Sequence, residues 1–251
     1  MRVYITAGAS GLGRAFAEAF LAQGAQVAVV DRDTNALAAF AKAHPDCIAL
    51  EADVTDEAGL AETLSFAKAG FGGLDVICAN AGTGGPAGPL ETLDAQEWRD
   101  CVDVNLTGAF LTAKHAIPML KEQKSGLILF TTSTAGQWGY PNRSPYSAAK
   151  WALVGLTKGL AMELGEFGIR VNAIAPGSVE GDRMERVLSM EAKARNIDPE
   201  IVRAEYVQGV SMKTWVSAED IAATATWLAS DAARRISGQV IAVDGNTETL
   251  R

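Results

Sequence analysis

Thr6-Ala7-Gly8-Ala9-Ser10-Gly11-Leu12-Gly13 follows directly on the apolar run Val3-Tyr4-Ile5, and from Gly13 apolar residues recur at helical spacing to Gln23. The order is strand, glycine-rich turn, helix. Glycine permits the tight turn, lets backbone approach a phosphate closely and lets the helix pack on the strand. The helix then offers unpaired N–H groups and the positive end of its dipole to an anion. A glycine-rich loop alone is a weak signal, but its place after a first strand and before a helix makes it a dinucleotide-binding fingerprint. Gly8, Ser10, Gly11, Leu12 and Gly13 are the expected contacts.

Moving outward, Asp31 closes the second apolar run, Val27–Val30, eighteen residues after Gly13. A carboxylate there accepts hydrogen bonds from both adenosine ribose hydroxyls and repels a 2′-phosphate, which favours NAD. Arg32 follows it and leaves some use of NADP open. Further runs at 47–50, 74–78, 127–130, 170–174 and 240–243 complete seven strands. Near-continuous apolar strands alternating with helical segments, such as 148–163, predict a doubly wound parallel α/β sheet of the Rossmann type in one domain over 1–251. Only 178–217 fits no strand–helix unit. An insertion after the sixth strand is expected to be a helical lid over the ligand edge of the sheet.

Composition narrows the partners. The chain has 251 residues, a formal charge of −8 and an isoelectric point near 4.9. That balance argues against nucleic acid or an anionic membrane as partner. Three dispersed cysteines and two distant histidines predict neither a disulfide framework nor a metal site. With no signal peptide and no spanning apolar run, the expected location is the cytoplasm.

Ser133, Tyr146 and Lys150 carry the chemistry. Four tyrosines and nine lysines give a Tyr-x-x-x-Lys match by chance with probability about 0.14, so position decides its meaning. Ser133 lies just past the fifth strand and Tyr146 opens the next helix, at the same rim as the glycine-rich loop. The i, i+4 spacing stacks Lys150 on the face of Tyr146. A phenol is a poor base at neutral pH, but a neighbouring ammonium and a cationic nicotinamide ring both favour the phenolate. Tyr146 can then exchange a proton with an alcohol or carbonyl oxygen that Ser133 orients, while Lys150 also holds the nicotinamide ribose.

At this point the chain resembles the short-chain dehydrogenase/reductase family along essentially its whole length. The matching motifs are the Thr6–Gly13 loop, Asp53-Val54, Asn80-Ala81-Gly82, Asn105, Ser133, Tyr146-x-x-x-Lys150, Pro176-Gly177, Ser237-Gly238-Gln239 and Val243-Asp244-Gly245. The resemblance implies that Asp53 and Val54 contact the adenine and that Asn80-Ala81-Gly82 supports the sheet beside the cofactor. It implies that Asn105 holds a water in a proton relay with Lys150, and that Pro176 and Gly177 also border the cofactor. It further implies a homo-oligomer, tetramer or dimer, built on helix faces flanking the site. Two positions depart from the pattern. Ala7 replaces the loop's first glycine, which a negative φ would accommodate. Gly181 stands where the family often has a threonine, so the backbone of Val179 or the lid is expected to hold the nicotinamide end.

Candidate substrate contacts are Arg143 and Arg183, as clamps for an anionic group, and Gln137, Trp138 and Ser178 on the pocket wall. The mixed charges of the lid predict a small polar substrate: a sugar derivative, polyol, hydroxy acid or hydroxysulfonate. The expected activity is reversible hydride transfer between such a secondary alcohol and NAD. Its rivals are a silent NAD(H)-binding sensor or scaffold and a non-net-redox epimerase or dehydratase on the same fold.

Overall fold

The computed structural model describes residues 1–248, apart from the side chains of 182, 183 and 194. Seven strands form one parallel sheet: β1 (Arg2–Thr6), β2 (Gln26–Asp31), β3 (Ile48–Glu51), β4 (Val76–Ala79), β5 (Gly126–Thr131), β6 (Ile169–Pro176) and β7 (Val240–Val243). Their order is β3-β2-β1-β4-β5-β6-β7, so the winding reverses between β1 and β4. Open α/β sheets bind ligands outside the carboxyl ends of the strands at such a reversal. Seven expected runs became seven strands.

The period-2 geometry of a strand sends alternate residues to opposite layers. Tyr4, Ala28, Val30, Ile77, Ile128, Phe130 and Val171 enter one core. It is covered by α3 (Glu57–Phe71), α5 (Gly108–Gln123) and α6 (Ser144–Leu164), with α4 (Ala95–Val102) packed against α6. Val3, Ile5, Val27, Val29, Val76, Cys78, Leu127 and Leu129 enter the other. Its helices are α1 (Gly11–Ala22), α2 (Thr34–Ala43) and α9 (Ala218–Ala229). Because both faces are covered, the strands need no polar face. One polar pair inside is satisfied, with Tyr4 Oη 2.7 Å from Thr63 Oγ1.

Between β6 and α9 the chain forms α7 (Asp182–Arg195) and α8 (Pro199–Gln208). These two helices enclose a small core of Leu188, Ala192 and Val202, with Met184, Ile197, Tyr206 and Trp215 against it. Their charges pair with one another on the outside: Arg195 with Glu191 and Glu205, Arg203 with Glu185 and Glu200. These paired charges serve the helix pairing, while Glu180 and Arg186 of the same segment face the ligand cavity.

No helix among the described residues is long and apolar enough to cross a membrane.

Candidate active site

A cavity of about 960 Å³ lies at the carboxyl ends of the central strands, roofed by α7 and α8. It brings together most of the residues named from the sequence. The exceptions are Gly8, Asn105, Gln137 and Trp138, which do not line it, and Arg183, whose side chain lies outside the described residues. Gln137 and Trp138 leave because the short 3-10 turn Thr134–Gly136 carries the chain outward, with both amides bonded back to the Thr134 carbonyl. Trp138 is 45% exposed. Gly8 is a packing residue, since a methyl there would stand 2.7 Å from Val29 Cβ.

The glycine-rich loop makes one end of the cavity. Side-chain oxygens of Asp33, Asp56, Asp94, Asp198 and Ser217 cap α2, α3, α4, α8 and α9. By contrast, α1 has no side-chain cap and no acidic residue in its first turn. Its N-terminal N–H groups face a cavity lined by Ser10, Gly11, Leu12 and Gly13, an arrangement ready for an anion. Gly13 is dictated by space: a methyl would meet the Ala7 carbonyl oxygen at 2.0 Å. The buried Asp31 accepts from the amides of Ala9 (3.2 Å) and Asp33 (3.1 Å), which fixes its carboxylate on the cavity wall.

Arg32 reaches across to Asp53 at 3.5 Å. Burial pushes the Asp53 carboxyl up, but bonds from Thr55 and Arg32 outweigh it and hold the group below the usual carboxylate range. Val54 packs against Gly108, where a methyl would meet its Cγ2 at 2.7 Å.

The centre is knitted by Asn80 and Thr6. Thr6 Oγ1 accepts from the amides of Asn80 and Ala81, both at 3.0 Å. Asn80 Nδ2 donates to the Thr6 carbonyl at 3.2 Å, and its Oδ1 accepts from Thr131 Oγ1 at 3.0 Å. Three strand ends are thus held in register around the cavity floor. A methyl at Gly82 would stand 2.8 Å from Asn105 Oδ1 and 3.3 Å from Lys150 Nζ.

Asn105 is fully buried within a π turn, Asp103–Thr107, set between α4 and α5. Its Nδ2 donates to the carbonyls of Thr83 (3.0 Å) and Cys101 (2.8 Å), and its Oδ1 accepts the Thr83 amide at 3.3 Å. The amide is committed to backbone. Single π turns within helices recur at functional sites because they break the regular carbonyl ladder.

Ser133 Oγ accepts the Ala135 amide at 3.1 Å. Tyr146 lies in the first turn of α6, and Lys150, 3% exposed, donates from Nζ to the Thr131 carbonyl at 2.8 Å. Lys150 Nζ and Arg143 Cζ each stand 5.6 Å from the centre of the Tyr146 ring. One aromatic ring therefore has two cations at equal distance.

At the β6 end, Gly177 abuts Asp244, where a methyl would stand 2.7 Å from its Cβ. Ser178 and Glu180 bond to the backbone of Val216 in a parallel bridge at Val179. In such a bridge the central residue's own N–H and C=O face the other way.

A family model described as enoyl-(acyl carrier protein) reductase matches residues 6–246. The chain belongs to the short-chain dehydrogenase/reductase family. Levodione reductase of Leifsonia aquatica is 37% identical over 252 residues, covering 97% of this chain and 92% of its own. A crystal structure of levodione reductase, 36% identical, superposes with a TM-score of 0.90, over 97% of this chain and 96% of that one. Cis-4-hydroxycyclohexanecarboxylate dehydrogenase of Sinomonas cyclohexanicum is 36% identical over 96% of this chain and 94% of its own. A crystal structure of NAD+-bound xylitol dehydrogenase, 28% identical, matches 97% of both chains with a TM-score of 0.92.

Membership of the short-chain dehydrogenase/reductase family makes the chain an oxidoreductase and puts its two departures in physical terms. Ala7 has φ +50, not the negative value that would accommodate its methyl, so the loop keeps its left-handed bend despite the lost glycine. That conformation costs an L-residue about 1 kcal/mol. Gly181 has φ +131 with open space around it. A β-branched threonine avoids that backbone conformation, which accounts for glycine at the start of α7. Sequence reasoning missed Tyr140 and the cavity role of Tyr206. Both line the cavity, and their hydroxyls meet at 2.8 Å. Only the solitary aromatic character of each gave any signal.

Proposed function

We propose that this chain, working as one dinucleotide-binding unit, catalyses reversible NAD-linked oxidation of a compact secondary alcohol to its ketone. The observation that carries the reading is the Tyr146 ring with Lys150 Nζ 5.6 Å from its centre, in the same cavity as Ser133 and the uncapped α1. Cations beside a phenol favour its ionised form, so Tyr146 can hold or release a proton at its hydroxyl near neutral pH.

The nicotinamide dinucleotide, when bound, supplies the hydride acceptor or donor. The residues fit it: the amides of Gly11–Gly13 for the pyrophosphate, Asp31 for the adenosine ribose, Asp53 and Val54 for the adenine, Lys150 and Tyr146 for the second ribose, and Val179 backbone for the carboxamide. Asp31 at the ribose position supports NAD over NADP. Ser133 Oγ, already accepting from Ala135, has its own hydrogen to donate to the substrate oxygen. As the carbinol carbon loses its hydrogen, Tyr146 takes the hydroxyl proton; in reverse it returns one to the carbonyl. Asn105 Oδ1 accepts the Thr83 amide and has a second lone pair, which would hold a water in a proton relay with Lys150.

For the substrate, the lid contributes Met184, Val187 and Tyr206 beside Arg186, and Tyr140 completes a partly aromatic wall. This suits a small ring bearing a hydroxyl better than an open polyol, and the names of the levodione and hydroxycyclohexanecarboxylate relatives point the same way. Exposed Phe110, Trp151 and Met162 on α5 and α6 support assembly through those faces. The test is a panel of cyclohexanols, cyclohexanediols, hydroxycyclohexanecarboxylates and xylitol, each with NAD+ or NADP+, followed by the absorbance of the reduced nicotinamide. Ring alcohols with NAD+ are expected to react fastest; turnover of xylitol alone, or with NADP+ alone, contradicts the reading.

A further inference from the structure

Arg143 is the buried charge that the proposed chemistry leaves unused. It is 9% exposed, and no carboxylate among the described residues pairs with it within 4.0 Å. Its Nη2 donates to the Gly84 carbonyl at 2.8 Å, and its Nε is enclosed with no acceptor. A guanidinium cannot shed its proton in a protein. Burying it without a counter-charge is costly. It also occupies the N-cap of α6, where the helix dipole disfavours a cation. What it does have is two ring faces, with Cζ 5.5 Å from the centre of Tyr140 and 5.6 Å from that of Tyr146. With Nε shut away and one Nη2 hydrogen given to Gly84, the donors left for a substrate are the two Nη1 hydrogens and the second Nη2 hydrogen.

We infer that Arg143 is a positioning residue for proton transfer, a second fixed cation that acts with Lys150 to favour the ionised form of Tyr146. The inference rests on the reading of Tyr146 as the proton carrier. It explains why a costly charge is kept where two lines of physics disfavour it. It also gives the lid a connection to the reaction. Tyr140, on the other face of the guanidinium, is held by the hydroxyl of Tyr206, which donates in turn to Glu191 Oε2 at 3.1 Å. Among the ionisable groups near Tyr146 are Arg143 and Lys150 beside its ring, Tyr140 across the guanidinium, and Tyr206 and Glu191 behind Tyr140. The two cations favour the phenolate, and Glu191 opposes it from further away.

The test needs neither substrate nor cofactor. The chain has four tyrosines, and burial pushes three of them up: Tyr4, Tyr140 and Tyr206. The first phenolate band to appear as pH is raised on the folded protein should therefore belong to Tyr146 and vanish in Tyr146→Phe. If it does not vanish, the proton-carrier reading fails before Arg143 is reached. Given that assignment, Arg143→Met is expected to move the midpoint up by about one pH unit, while Arg143→Lys, which keeps the charge, moves it less than half as far. An unmoved midpoint in Arg143→Met, with the circular dichroism of the wild type, overturns the inference while leaving the proposed function standing. Should Arg143→Met not fold, Lys150→Met removes the other ring-side cation and leaves Arg143 beside Tyr146. Its Tyr146 midpoint is then expected to stay below that of the same protein unfolded in urea. Equality of the two values overturns the inference.

Discussion

The hydroxyls of Tyr140 and Tyr206 share a 2.8 Å hydrogen bond that joins the loop before α6 to the second lid helix. Tyr206 also donates to Glu191 and stacks on Trp215 with ring centres 6.0 Å apart, so one side chain fastens the lid core to the site wall. Tyr206→Phe keeps the stacking and removes both hydrogen bonds. Hydrogen exchange in 188–208 is expected to speed up about three- to tenfold, with β1 and α1 unchanged. Uniform acceleration over the whole chain would instead mean that the pair supports the fold at large.

Ala7 holds φ +50 with its carbonyl oxygen packed against Gly13, where a methyl would stand 2.0 Å from it. Ala7→Gly relieves the left-handed strain at the expense of a more flexible unfolded chain. The balance is expected to stabilise the protein by about 0.5–1 kcal/mol and raise Tm by about 2 °C in calorimetry. A lowered Tm would show that the methyl makes contacts worth more than the strain.

Asp31 sits on the cavity wall with its carboxylate fixed by two amides. Asp31→Ser removes the charge and is expected to weaken NADH binding about 10- to 100-fold while narrowing its advantage over NADPH. Fluorescence titration of both cofactors checks this, and unchanged preference would move the source of selectivity to Arg32 or beyond.

The sheet was legible because strands covered on both faces must read as apolar runs, and all seven do. The candidate catalytic rim was legible for a different reason: Ser133, Tyr146 and Lys150 follow one strand end, and the i, i+4 spacing stacks Lys150 on Tyr146. What escaped were features set by tertiary context. The sign of φ at Ala7 depends on Gly13 lying under its carbonyl. The π turn at Asn105 depends on how α4 runs into α5. Trp138 was misplaced because a single 3-10 turn redirects the chain. The charges of α7 and α8 pair across helices at separations of up to eighteen residues, which no local pattern displays.

Asp75 anchors the amino end of the sheet, accepting the Arg2 amide at 2.8 Å and its guanidinium at 2.5 Å. Burial pushes its carboxyl up, but the bonds from Arg2 outweigh this and hold it below the usual range. A carboxyl depressed in the folded state stabilises it fully above the unfolded value of about 3.9, and that contribution fades as pH falls through the folded value. Asp75→Asn is therefore expected to unfold at a lower urea concentration at neutral pH and to lose less stability than the wild type between pH 5 and about 3. Parallel acid profiles for the two proteins would contradict the assignment.

The central claim is that Tyr146 carries the proton of an NAD-linked alcohol oxidation. It is tested most directly by the rate of NADH formation in wild type and Tyr146→Phe, using the fastest ring alcohol of the panel. A loss of about 100- to 10,000-fold in kcat, with NADH binding unchanged within about threefold, is the predicted result. A variant that turns over at the wild-type rate would contradict it.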